Sequence, residues 1–153
     1  MVAALSHDDY ANLLAFRTAL RRFDRWSHER ARRVGLTHAQ HQLLLAVKGH
    51  RDPNGPTISE AAAYLNTRHH SVVGLVDRAE RAGLLRRGRD ASDARVVRLE
   101  LTELGEDRIA QLAELHLVEL NRLAPVLQHL VGARRDHTNA PPMSSAAVSD
   151  LAR

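Results

Sequence analysis

Between Thr57 and Leu101 the hydrophobic spacing changes once, from the three-to-four period of helices to strict alternation. That change restricts the possible folds more than any bulk property. Thr57-Ile-Ser-Glu60 is a capping-box pattern that opens a short helix carrying Ala61, Ala62, Ala63 and Leu65. Asn66-Thr67 makes a tight break, and a second helix is predicted from about Arg68 to Ala82. Its apolar stripe is Val72, Leu75, Val76 and Ala79. Arg68, His69, Ser71 and Arg78 occupy the other face, and Gly74 leaves room there for a close approach. Gly83 ends the helix as a left-handed cap. Two short strands follow, Leu84–Arg87 and Arg95–Leu101, the second alternating Val97, Leu99 and Leu101 with Arg98 and Glu100. The polar run GRDASDA between them is turn-forming, so the pair reads as a hairpin with a basic tip.

Helices enclose this segment. Tyr10, Leu13, Leu14, Leu20, Phe23 and Trp26 define a long helix over residues 8–33, ended by Gly35. Thr37-His-Ala-Gln40 is another capping box, opening a helix with Leu43, Leu44, Leu45 and Val47. The run HRDPNGP, residues 50–56, is a loop. From Thr102 a long helix carries Ile109, Leu112, Leu115, Leu120, Leu123 and Leu127, and Pro125 either kinks it or starts a separate last helix. Residues 133–153 show no sustained periodicity and read as a mobile tail. Aromatic residues are 3% of the chain, so the core must be built from Leu, Val and Ala, a composition suited to packed helices. The expected fold is mainly α with a small β-hairpin wing, that is, a winged helix-turn-helix plus a helical dimerisation region.

Charge falls where this architecture can use it. Residues 68–98 hold eight arginines against Asp77, Glu80, Asp90 and Asp93, giving +4, whereas residues 99–132 give −4. A helix laid in the major groove presents its N-terminal side chains to base edges, and a hairpin tip reaches the neighbouring minor groove. Double-stranded DNA is therefore the expected partner. Cysteine is absent, which excludes disulfides, thiol redox sensing and thiolate metal sites. No phosphate-binding glycine loop, His-Glu-x-x-His or nucleophile elbow occurs, so the reading is not an enzyme and needs no cofactor. No stretch approaches 20 uninterrupted apolar residues and the first ten residues carry no export signal, so the expectation is a cytoplasmic protein with no membrane partner.

The run GLVDRAERAGLLRRGRDASDARVVRLELTELG, Gly74 to Gly105, together with LTHAQHQLLLAV, resembles the MarR family of bacterial transcription regulators over about residues 8–130. The resemblance implies that Arg68, His69, His70, Ser71 and Gly74 face the major groove, with Arg78 a phosphate contact or structural pair. It assigns Arg89 and Arg95 to the wing, Arg95 near the minor groove, with Asp93 holding the wing by pairing with an arginine. Ala94 stands where the family often has a second arginine, and His69-His70 replaces commoner Ser, Thr or apolar residues, so operator preference cannot be copied.

The apolar stripes of the first and last helices exceed what one small winged domain covers, and the family dimerises through these helices. Residues 1–34 and 102–132 are thus read as dimerisation segments flanking a DNA-binding region at 35–101. Leu13, Leu112, His116, Leu120 and Leu123 are candidate interface residues in a homodimer, with a core role the competing reading. The resemblance also implies a small-molecule effector, an aromatic carboxylate or phenol. Phe23, Trp26, Ser27 and Arg30 on one helix, and His38, His41, Gln42 and Leu45 on the next, fall at one-face spacing and are its candidate site. The function expected is a ligand-responsive regulator, most often a repressor in this family, bound to a pseudo-palindromic operator. The alternatives are a zinc-responsive regulator using His38 and His41 with His28, His116 or a carboxylate, and a non-specific architectural DNA binder.

Overall fold

The computed structural model describes residues 5–132. The elements are α1 (His7–Arg33), α2 (His38–Lys48), α3 (Ile58–Tyr64), α4 (His69–Arg81), β1 (Leu85–Arg89), β2 (Val97–Leu101) and α5 (Glu103–Gly132). The tail expected at 133–153 lies outside the described residues. The chain forms two compact units, His28–Leu115 and a second made from α1 up to Ser27 and α5 from His116.

The larger unit is the winged helix, extended at each end by a piece of the long helices. Its core is aliphatic, with Leu36, Leu43, Leu44, Val72, Val76, Leu84, Leu85, Leu99, Ile109 and Leu112 all buried. The helices start where local chemistry starts them. Thr37 accepts from the amide of Gln40 at 3.2 Å while Gln40 accepts from the amide of Thr37 at 2.9 Å, and Thr57 and Glu60 form the same reciprocal box. Between α3 and α4, Asn66 takes φ +48°, and the Thr67 amide donates to the Ala62 carbonyl, which sets the tight break.

The hairpin is antiparallel, pairing Leu85 with Leu101 through Arg89 with Val97. Its first strand is longer and its second shorter than the sequence suggests. The Asp90 side chain accepts from the amides of Ser92 and Asp93, folding residues 90–96 into the turn and drawing Arg95 out of the strand. Pro125 starts no separate helix: α5 runs through it. Pro125 and Asn121 lie on the exposed side, where water can serve the carbonyl that the proline leaves without a donor.

The second unit is small. Ala19, Ser27 and Leu123 are buried in it, and Phe23, Trp26 and His116 group their rings, with centroids 4.9 Å apart for Trp26–His116 and 5.8 Å for Phe23–His116. Tyr10, Leu13, Leu14, Leu20, Leu117, Val118 and Leu120 are exposed.

Candidate nucleic-acid interface

The reading surface is built on α4. Val72, Leu75, Val76 and Ala79 anchor one face in the core, which turns the N-terminal residues Arg68, His69, His70 and Ser71 outward, all exposed. Arg68, at the N-cap, makes no side-chain cap, since a guanidinium has no acceptor to offer the helix amides. An open concave surface runs from α3 to α4, lined by Ser59, Ala63, Asn66, Thr67, His70 and Ser71. The positive end of the α4 dipole borders it. A side chain at Gly74 would meet within its own chain only the tip of Arg78, at 3.4 Å, so no close contact inside this chain demands a glycine there.

Two arginine clusters hold the hairpin. In the first, Arg87 of β1 reaches back to α4, with Nη2 donating to Asp77 at 2.5 Å and Nη1 to Glu80. The bond to Asp77, with Glu80 beside it, raises the Arg87 pKa above the ordinary arginine value. In the second, Arg98 of β2 donates from Nε to Asp90 at 2.8 Å and from Nη1 to the Gly55 carbonyl at 3.1 Å. Glu60 and Asp52 lie 3.5 and 3.6 Å from the same guanidinium. The Ser92 hydroxyl and amide, then Arg98, hold the Asp90 carboxyl far below the usual carboxylate range. The Thr57 amide does the same, less strongly, for Glu60.

At the wing, Arg95 is 91% exposed and held by Asp93, which accepts from its amide at 3.0 Å and its guanidinium at 3.1 and 3.2 Å. Arg95 in turn holds Asp93 below its ordinary pKa. Arg89, the last residue of β1, is exposed, as is Arg78 on α4. The residues expected at the grooves thus sit on α4 and on the wing that Arg87 and Arg98 fasten to one compact unit. The sequence reading missed Arg98 and Asp90, because alternation along β2 marks residue 98 as solvent-facing.

The candidate effector residues divide between the units. Phe23, Trp26 and Ser27 belong to the smaller, where Ser27 Oγ and His116 Nε2 hydrogen-bond at 2.8 Å. Arg30, His38, His41, Gln42 and Leu45 belong to the larger: His41 is buried, Arg30, His38 and Gln42 are half-buried, and Leu45 is exposed. His38 lies against His28, ring centroids 3.6 Å apart, while His41 is turned into the core. Two of the candidate interface residues need correction. Leu112 is 0% exposed in the core of its own chain and Leu123 is also buried, so neither offers surface to a partner. His116 is half-buried among Phe23, Trp26 and Ser27, while Leu13 and Leu120 are exposed.

A helix–turn–helix followed by a hairpin fastened to the second helix defines the class of winged helix-turn-helix proteins, the DNA-binding module of transcription regulators. Residues 34–96 match the model of the MarR family. No curated protein sequence gives a match. Among solved structures, the chain is similar to a MarR family protein from Bacillus stearothermophilus, at 25% identity over 88% of this chain and 96% of that one, TM-score 0.68. It is also similar to AbsC, a MarR family transcriptional regulator from Streptomyces coelicolor, at 19% identity over 86% and 99% of the two chains, TM-score 0.65. A mutant of MepR from S. aureus, bound to an oligodeoxyribonucleotide, matches at 20% identity over 94% and 90%, TM-score 0.57. Among the described residues no helix is long and apolar enough to cross a membrane.

Proposed function

We propose that the protein is a transcriptional regulator that binds a pseudo-palindromic DNA operator as a homodimer and is released by a small aromatic acid or phenol. The observation that carries the DNA reading is the grouping of exposed arginines and hydrogen-bonding side chains in one unit. Arg68, His69, His70 and Ser71 lead into α4, and Arg89 and Arg95 project from the hairpin beside it. α4 enters the major groove by its N-terminal turn, Gly74 admits the groove wall, and Arg95 enters the adjacent minor groove. Arg78, one turn further along α4, contacts phosphate. The structure of MepR with an oligodeoxyribonucleotide supports this use of the fold.

The dimer reading is supported by the apolar residues that the smaller unit leaves exposed, Leu13, Leu14, Leu117, Val118 and Leu120 among them. A second copy of the same surface covers them by two-fold symmetry. The effector reading rests on the family resemblance and on residue types alone: Phe23 and Trp26 are apolar rings, and Arg30 and His38 carry N–H groups from which a carboxylate can accept. The protein acts in the cytoplasm, and repression is the mode favoured by the resemblance.

Selection from a random duplex pool, followed by titration at rising salt, tests the function. A regulator enriches an inverted repeat and keeps its preference over random DNA at raised salt. An architectural binder enriches none. A thermal-shift screen of aromatic carboxylates and phenols tests the effector, and repeating the operator titration with each hit shows whether binding releases DNA.

A further inference from the structure

Arg98 sits at a strand position where alternation calls for a solvated side chain, yet its side chain is only 17% exposed. What covers it is the α2–α3 loop, stitched to β2 by the Leu99 amide donating to the Pro56 carbonyl at 2.9 Å. Partners from three separate segments converge on this one guanidinium. Asp90 comes from the wing turn, Gly55 and Asp52 from the α2–α3 loop, and Glu60 from the first turn of α3. A planar fork of five donors can serve several acceptors in different directions, which an ammonium on a flexible stem does less well.

Asp90 is also the residue that shapes the wing turn. It accepts from the Ser92 amide at 2.8 Å, the Ser92 hydroxyl at 2.6 Å and the Asp93 amide at 3.2 Å. Asp93 then holds Arg95. The connection therefore runs from the helix-turn-helix, through Arg98 and Asp90, to the exposed cation at the wing tip. Without Arg98, the carboxylates of Asp52, Glu60 and Asp90 would lose the guanidinium they share and keep only local partners: Asn54 for Asp52, Thr57 and His50 for Glu60, and Ser92 and Asp93 for Asp90. Their mutual repulsion would then push the wing base from α3.

We propose that Arg98 is a positioning residue for DNA recognition: it sets the wing, and with it Arg95, against the reading helices without touching DNA itself. The proposal rests on the DNA-binding function above and deepens it. The test compares wild type, Arg98→Gln, Arg98→Lys, Asp90→Asn and the double variant Arg98→Gln/Asp90→Asn on the selected operator. Hydroxyl-radical cleavage reads the minor groove, and dimethyl sulfate protection of guanines reads the major groove.

Arg98→Gln should erase the minor-groove footprint while leaving the major-groove pattern, and weaken binding by about tenfold, the worth of one lost groove contact. Arg98→Lys should restore part of the footprint, Asp90→Asn should match Arg98→Gln, and the double variant should lose no more than either single one. A retained minor-groove footprint in Arg98→Gln, or loss of both footprints together in a folded protein, overturns the proposal. If Arg98→Gln does not fold, Asp90→Asn carries the same test, since it leaves the Gly55, Asp52 and Glu60 contacts in place. Amide exchange in the free protein separates this proposal from the function it rests on. If wild type selects no operator, the DNA reading fails. Faster exchange across residues 90–96 in Arg98→Gln would then still support the clasp, and unchanged exchange there would overturn it.

Discussion

Replacing Gly55 by alanine tests how tightly the α2–α3 loop is locked onto the hairpin. Gly55 is buried at φ +80°, and a Cβ built on it would lie 2.0 Å from the Leu99 carbonyl oxygen. Neither obstacle is a flexible side chain, so the loop and β2 must part by more than about 1 Å to restore ordinary contact. That parting breaks the Leu99–Pro56 hydrogen bond and strains the Arg98–Gly55 one. The left-handed backbone costs a non-glycine residue about 1–2 kcal/mol. Losing a backbone bond and leaving its buried groups unserved costs about 1–3 kcal/mol more. The sum is about 2–5 kcal/mol, a fall in melting temperature of about 8 °C or more for a domain of this size. Gly83→Ala is the control: its φ is +71°, but nothing lies within 4 Å of the added methyl, so only the backbone term of about 1–2 kcal/mol applies. Thermal unfolding by circular dichroism measures both. If Gly55→Ala melts within a few degrees of Gly83→Ala, about the width expected for 1 kcal/mol, the close approach described here is wrong.

Further outcomes follow from the same geometry. Leu112→Ala should destabilise the chain by about 2–5 kcal/mol by opening a core cavity while leaving the dimer's dissociation constant unchanged; Leu120→Asp should do the reverse, visible by sedimentation. Thr57→Ala should cost about 1 kcal/mol in denaturant unfolding, since it removes half of a capping box. Arg95→Ala should weaken operator binding by about 1–3 kcal/mol, most at sites with a narrow minor groove, and equal loss at all sites would exclude a minor-groove role. Acid should reach the wing late. The pKa of Asp90 is lowered in the folded protein, so its contribution is complete above the unfolded carboxylate value of about 4 and decays as pH falls from there toward the folded value. Asp90→Asn should flatten that part of the stability-against-pH curve, and an unaltered slope would refute the assignment.

Features set by neighbouring residues were legible in the sequence. Thr37 with Gln40, and Thr57 with Glu60, mark helix starts that the structure reproduces, because the bonding partners lie three residues apart. Asn66-Thr67 and Gly83 mark the breaks for the same reason: the backbone angle is a property of the residue itself. What depends on distant partners was not legible. Arg98 is covered by a loop 43 residues away in sequence, and His116 meets Ser27 across 89 residues. Periodicity along α5 identified Leu112, Leu120 and Leu123 as one apolar set, but it could not divide them. Leu112 and Leu123 fill their own chain, and Leu120 remains exposed. The hairpin ends shifted because Asp90 closes its turn through side-chain bonds that outcompete further pairing.

The grip of Asp93 on Arg95 changes what a titration with salt would report. A guanidinium that arrives already neutralised by its own carboxylate exchanges one anion for another as it enters a groove, and it displaces few ions from the duplex. Arg95 should therefore add to operator affinity while adding little to its dependence on ionic strength, whereas Arg89, exposed on the neighbouring strand, should add to both. The wing's contact would then persist at salt concentrations that strip the remaining phosphate contacts away.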